Sequence, residues 1–297
     1  MRAPQPPAVG ASASAAIRDR VTAPAVRVDV LAAFPAAVYL SHPAGIVAVV
    51  AGDGIAHPNA IGLAARASER PFAAVTVGAS GRLGDHRLVL PGLHVEVRRW
   101  WRPRPALPTV TADALRLRCD DLDLLLATAA PPLPFALAAP LGRLRTALAT
   151  GDAAGATGHV EGLLGLGPGL TPSGDDLLCG LLSAISLLGP AVGAADVDAR
   201  IVAARTVGEV VAVRATSTTT AISAALLAHA ARGEVSDVAA DVLHALAGRQ
   251  PLAPAVRALL AVGATSGRDL TAGLLAGARV ASSDTLSRPP ALPEETR

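Results

Sequence analysis

The chain has 297 residues and 26 basic side chains, every one of them arginine. The absence of lysine excludes a Schiff-base or pyridoxal-phosphate anchor, a P-loop lysine and a biotinyl or lipoyl carrier lysine, so bound phosphate or carboxylate must be held by arginine, backbone N–H groups, hydroxyls or a metal. Net charge is +2, but residues 1–118 hold fourteen arginines against seven acids and residues 119–297 twelve against seventeen.

In chain order, residues 1–19 read as a disordered lead-in; they contain no long apolar core, so no secretory signal is expected there. The next stretch reads as β. Ile46–Ala51, Phe72–Val77, Arg87–Leu90 and His94–Trp100 are short apolar or alternating runs, each punctuated by Gly or Pro. Arg98, Arg99, Trp100, Trp101, Arg102 and Arg104 form the densest basic cluster. It reads as a strand end entering a linker, with an RNA-stacking platform as the alternative. Pro103, Pro105 and Pro108 then make a stiff hinge.

Beyond the hinge the spacing predicts helices over Ala112–Ala129, Pro134–Thr150, Val197–Val213, Thr219–Ala231, Val235–Ala247 and Ala253–Val262. Between the second and third of these, Leu177–Leu188 reads as a buried helix. The expected fold is α+β: a small antiparallel β-rich N-terminal domain at 20–108, a larger all-helical domain at 112–283, and a tail at 284–297. No run of about 18 apolar residues escapes a charge or a Gly/Pro break, so no membrane span is expected. Cys119 and Cys179 are too few for a disulfide framework, and a cytoplasmic setting follows. No RNA-binding motif supports a nucleic-acid partner.

The run GLLGLGPGLTPSGDDLLCGLL (162–182) stands apart. Gly165, Gly167 and Gly169 form a loop whose N–H groups can approach a ligand closely. The loop leads through Thr171 to Ser173, expected as an N-cap with Asp176 completing a capping-box pattern, and to Gly174. Capping accounts for Ser173 and one acid, not for Asp175 and Asp176 together. A Gly-rich loop feeding a helix start is an anion-binding device. Two aspartates there call for a cation such as Mg²⁺, with Asp175 and Asp176 as its expected ligands.

Ser266-Gly267-Arg268-Asp269-Leu270-Thr271-Ala272-Gly273-Leu274-Leu275 echoes 173–182 at seven of ten positions. Gly180 and Gly273 would let the two helices cross closely and bring both polar starts, with Asp176 and Asp269, to one site. Arg214 followed by the five hydroxyl residues Thr216 to Thr220, Thr218 and Thr219 among them, could hold oxyanion oxygens; a polar turn is the alternative. The seven histidines show no metal-binding spacing, and Cys179 reads as core.

The central run resembles the signature of the AllH family. The TSTTTAISAALLAHAARGE and VGATSGRDLTAGLL stretches resemble its other blocks, as does a β-rich first half with Pro58-Asn59, so that the likeness covers roughly 30–280. The resemblance implies a subunit of a bacterial oxamate carbamoyltransferase of allantoin breakdown, acting beside two larger partner subunits. That enzyme exchanges a carbamoyl group between oxalurate and phosphate. Asp175, Asp176, Ser173 and Asp269 are then the candidate catalytic residues. The candidate binders of a small anionic substrate are Gly165, Gly167, Gly169, Thr171, Gly174, Arg214, Thr218, Thr219, Ser266, Gly267 and Asn59. Two other readings stay open: an Mg²⁺-dependent hydrolase of the helical ADP-ribosylhydrolase type, and a non-catalytic assembly subunit that binds a small anion.

Overall fold

The computed structural model describes residues 8–193 and 197–283, with the tail at 284–297 outside that range. Eight strands close a barrel: β1 (Val9–Ser14), β2 (Val26–Ala33), β3 (Ala37–His42), β4 (Gly45–Val50), β5 (Ala60–Leu63), β6 (Ser80–Gly84), β7 (Arg87–Leu90) and β8 (Leu93–Trp101). Their order around the wall is β1-β5-β4-β3-β2-β6-β7-β8. Closure leaves no free sheet edge to template aggregation.

The barrel is mixed, which corrects the antiparallel expectation. β4 runs parallel to β5, and β8 closes the wall by running parallel to β1. A parallel neighbour cannot be reached by a tight hairpin, so the chain leaves β4 and returns through a crossover loop, residues 51–59. That loop becomes one wall of the cavity described below. The lead-in reading is also corrected: Val9–Ser14, inside 1–19, is a barrel strand whose Ala11 and Ala13 are buried. Residues 72–77 form turns instead of a strand. Their buried members, Phe72 and Val75, stand three apart, the spacing of a helical turn, and plug the barrel core.

Inside the barrel, Val28, Val30, Val38, Leu40, Val47, Val49, Ile61, Leu83, Leu88 and Val95 pack as one cluster. β4 is buried from Ile46 to Val50 on both faces. Its other face, with Ala48 and Val50, lies with Ala60, Tyr39 and Trp101 beneath the helical half. Double burial explains why this strand reads as an unbroken apolar run instead of alternating. In the basic cluster, Arg98 pairs with Glu96, and the Arg18 guanidinium lies 4.1 Å from the centre of the Trp100 ring. Arg104 donates to the Arg232 carbonyl. These contacts fit a strand end entering a linker.

A short helix, α1 (Arg18–Thr22), lies between the first two strands. After the hinge come α2 (Ala112–Ala129), α3 (Phe135–Ala149), α4 (Ala153–His159), α5 (Ser173–Val192), α6 (Val197–Thr218), α7 (Ala221–Ala230), α8 (Asp237–Leu246), α9 (Leu252–Leu260) and α10 (Ser266–Ala281). α5 is the axis. It is long and apolar enough to cross a membrane, but 83% of that stretch is buried within the protein, so its apolarity all round is that of a core helix. Two hydrophobic clusters flank it and share α10.

α5 and α10 make the closest helix pair. A Cβ at Gly180 would collide with the Leu270 carbonyl, and one at Gly273 with the Leu177 carbonyl. Glycine is required because backbone meets backbone.

Candidate functional site

The two repeated starts converge. Thr171 Oγ1 lies 3.0 Å from Ser266 Oγ, and the Asp176 and Asp269 carboxylates are close enough to interact electrostatically. The repeat extends to the backbone: a Cβ at Gly174 would strike the Leu163 carbonyl, and one at Gly267 the Leu259 carbonyl. Each Ser-Gly start is thus pinned on the chain that precedes it.

Local chemistry differs from the capping expectation. Pro172 is the N-cap of α5, without a side-chain cap bond, and Ser173 is its first helical residue. Proline's fixed φ suits a helix entry. Three donors of the helix start are already engaged: Gly174 N–H bonds to the Leu166 carbonyl, and the Asp175 and Asp176 N–H groups to that of Pro172. Gly165, Gly167 and Gly169 all have positive φ, so the loop needs glycine, but Gly165 N–H points to Asp175 Oδ1 at 2.7 Å.

Asp175 is fully buried. Besides Gly165, it accepts hydrogen bonds from Thr219 Oγ1 and, at 2.7 Å, from Ser223 Oγ through Oδ2. It is a latch that ties the glycine loop, the α6–α7 junction and α5 together. Its Oδ1 thus takes one donor and its Oδ2 two, all from within the fold. Among the described residues, no three His, Cys, Asp or Glu side chains gather as a metal site.

Asp176 is the opposite case. It is 7% exposed, and its Oδ2 is buried without a partner. Burial foremost, and then the nearby Asp269 and Asp175, push its pKa up to about 7 against the pull of Ser266 and Thr171. Asp269 is fully buried, with Arg268 donating to its Oδ1 at 2.5 and 2.8 Å, while its Oδ2 also lacks a partner.

Asp176 looks into a cavity of about 300 Å³ between the barrel and the helices. α5 contributes Asp176, Cys179 and Ser183, and Thr171 and Ser266 sit at the converging starts. Ile222, Leu226 and Ala230 of α7, Ser236, Val238 and Ala239 at α8, and Leu259 and Leu270 supply most of the rest. Tyr39 of β3 and Ile55, His57 and Pro58 of the crossover loop close the barrel side, and Glu234 stands at the α7–α8 turn.

No arginine lines this cavity. Burial holds His57 below the usual histidine range against the opposing pull of Asp237, and raises the Tyr39 and Cys179 pKa values, so these groups are neutral at pH 7. Glu234 stays ionised: burial pushes its carboxyl up, but the His229 hydrogen bond and Arg232 together bring it below the usual range.

The other expected binders lie elsewhere. Arg214 pairs with Glu161, its side chain 43% exposed. Thr216, Ser217 and Thr218 belong to the last turn of α6 and bond back to its carbonyls, so this stretch is helix where a turn was the alternative. A Cβ at Gly165 would strike the Thr218 carbonyl, and Thr220 caps α7 and donates to the Leu170 carbonyl. Asn59 is buried behind the crossover loop, bonded to the Ile46 carbonyl, while its neighbours His57 and Pro58 reach the cavity. Arg268 opens onto a second hollow, between α2, α3 and α10. His57, Tyr39 and Ser183 were not singled out by the sequence, nor was Glu234 at the end of the TSTTTAISAALLAHAARGE stretch, and it is the barrel–helix contact that brings His57 and Tyr39 to the cavity. Cys179 was expected as core and is instead half-buried on the cavity wall.

No curated protein matches the chain, and no solved structure does. A family model does match, over residues 163–278, which run from the glycine loop through α10 and exclude the barrel. The matched stretch contains both Ser-Gly starts, the Asp175 latch and the Thr216–Thr220 run, and over it the chain carries the pattern of the AllH family, described as oxamate carbamoyltransferase subunit AllH.

Proposed function

We propose that the chain is one subunit of a multi-subunit carbamoyltransferase for small carboxylates, of the kind that interconverts oxalurate and phosphate with oxamate and carbamoyl phosphate. Two larger partner subunits complete it. The observation that carries the reading is the family match over 163–278.

The site chemistry assigns the labour within such a complex. Oxamate, oxalurate, phosphate and carbamoyl phosphate are all anions and need cationic partners. The chain has no lysine, and its cavity presents two carboxyl groups and no arginine. Anion binding and stabilisation of the developing oxyanion are therefore assigned in this reading to groups outside this cavity, the partner subunits' among them. An Mg²⁺-dependent hydrolase would need further acidic ligands, and among the described residues no three His, Cys, Asp or Glu side chains gather as a metal site.

The test is reconstitution. With both partner subunits present, the chain should co-elute with them and raise phosphate-dependent cleavage of oxalurate at least tenfold over the partners alone. Full turnover by the partners without this chain, together with no co-elution, overturns the proposal.

A further inference from the structure

The cavity between barrel and helices has a lining opposite in kind to the anion site expected of the sequence. Its walls are largely apolar, its volume of about 300 Å³ lies at the small end of ligand pockets, and the two groups on it able to carry charge near neutrality are the carboxyls of Asp176 and Glu234. Asp176 lines this space, only 7% exposed, and its Oδ2 is buried with no hydrogen-bond partner. A buried acceptor left bare costs free energy that a matching donor recovers. Thr171 and Ser266 hydroxyls stand beside it, bonded to one another at 3.0 Å. An anion entering here would meet two carboxyls in a medium of low dielectric, where like charges repel most strongly.

We propose that this cavity binds a small organic cation, a primary ammonium or amidinium on a short apolar stem, with the charged head on the Asp176 carboxyl and the stem among Ile222, Leu226 and Leu259. The site belongs to this chain alone and stands whether or not the carbamoyltransferase reading does.

The test is calorimetric titration of the full chain, in phosphate buffer, with n-butylammonium, butyramide and butyrate. Saturable 1:1 binding of n-butylammonium is expected, at least tenfold tighter than butyramide, with no binding of butyrate. Asp176→Asn should weaken n-butylammonium at least tenfold, and Leu226→Trp, which fills the cavity from a half-buried position, should abolish binding without touching the carboxylate. The other groups bearing on Asp176 are Asp175 and Cys179 on α5 and Asp269 with its partner Arg268 on α10, and across the cavity Glu234, His57 and Tyr39. The proposal is overturned if n-butylammonium does not bind, if butyrate or butyramide binds as well, or if Asp176→Asn binds n-butylammonium like the unaltered chain.

Discussion

A carboxylate with both oxygens hydrogen-bonded and one with a bare oxygen stand side by side at the start of α5. For Asp175, three donors hold the charge in a fully buried place. Asp175→Asn would turn an NH₂ group against one of those donors; a loss of about 3 kcal/mol is expected in denaturant unfolding, with faster hydrogen exchange at the Gly165 amide. Asp176 has the reverse signature. Its folded pKa of about 7 lies above the unfolded value, so folding takes up a proton and the ionised form opposes folding. This contribution lowers stability as pH rises from about 4 to about 7 and is constant above, for a total on the order of 4 kcal/mol. Histidines held neutral by burial, such as His229, have the opposite slope, so the comparison must be a difference. Asp176→Asn should be more stable than the unaltered chain at pH 7.5 and lose that advantage toward pH 4.5. Equal stability at both pH values would show that the carboxyl is not perturbed.

At the scale of elements, the α5–α10 pair decides where Thr171, Asp176, Ser266 and Asp269 stand. Its closeness depends on Gly180 and Gly273, each facing a backbone carbonyl that cannot turn aside. Gly180→Ala or Gly273→Ala must part the helices, at a cost of about 2 kcal/mol or more, and would separate Thr171 from Ser266. Thermal unfolding reads the first effect. Loss of n-butylammonium binding in a variant that still folds reads the second. The ten-residue echo between 173–182 and 266–275 made this pairing legible in advance, because glycine at matched places inside two apolar helices has few purposes other than close approach. Ser173 was less legible. A serine before an apolar run is a good cap in general, but Pro172 and the Leu163 carbonyl, brought up by the glycine loop, fix the helix start one residue earlier.

At the scale of the molecule, the barrel and the helices bury each other's surface. Tyr39, Ala48, Val50 and Ala60 lie between them, Asp237 accepts from the Ala56 N–H at 3.2 Å, and the Val235 N–H bonds to the Pro103 carbonyl at 2.9 Å. A fragment ending after residue 108 would expose that apolar face. It should self-associate in size-exclusion chromatography, whereas the whole chain should unfold in one transition by both near- and far-ultraviolet circular dichroism. A soluble monomeric fragment would mean that the contact is dispensable.

What the sequence determined by itself was local. Hydrophobic period marked most of the helices and the strands β4, β7 and β8, and the doubled Ser-Gly-acid starts announced that two helices meet. The missing lysine limited how any anion could be held. The closing of the barrel was beyond it, because the pairing of β1 with β8 joins residues more than eighty positions apart and has no local signature. So was the fate of each charge. Whether a carboxylate is latched, like Asp175, or left bare over a cavity, like Asp176, depends on what the other elements bring to it, and two adjacent aspartates look alike until they do.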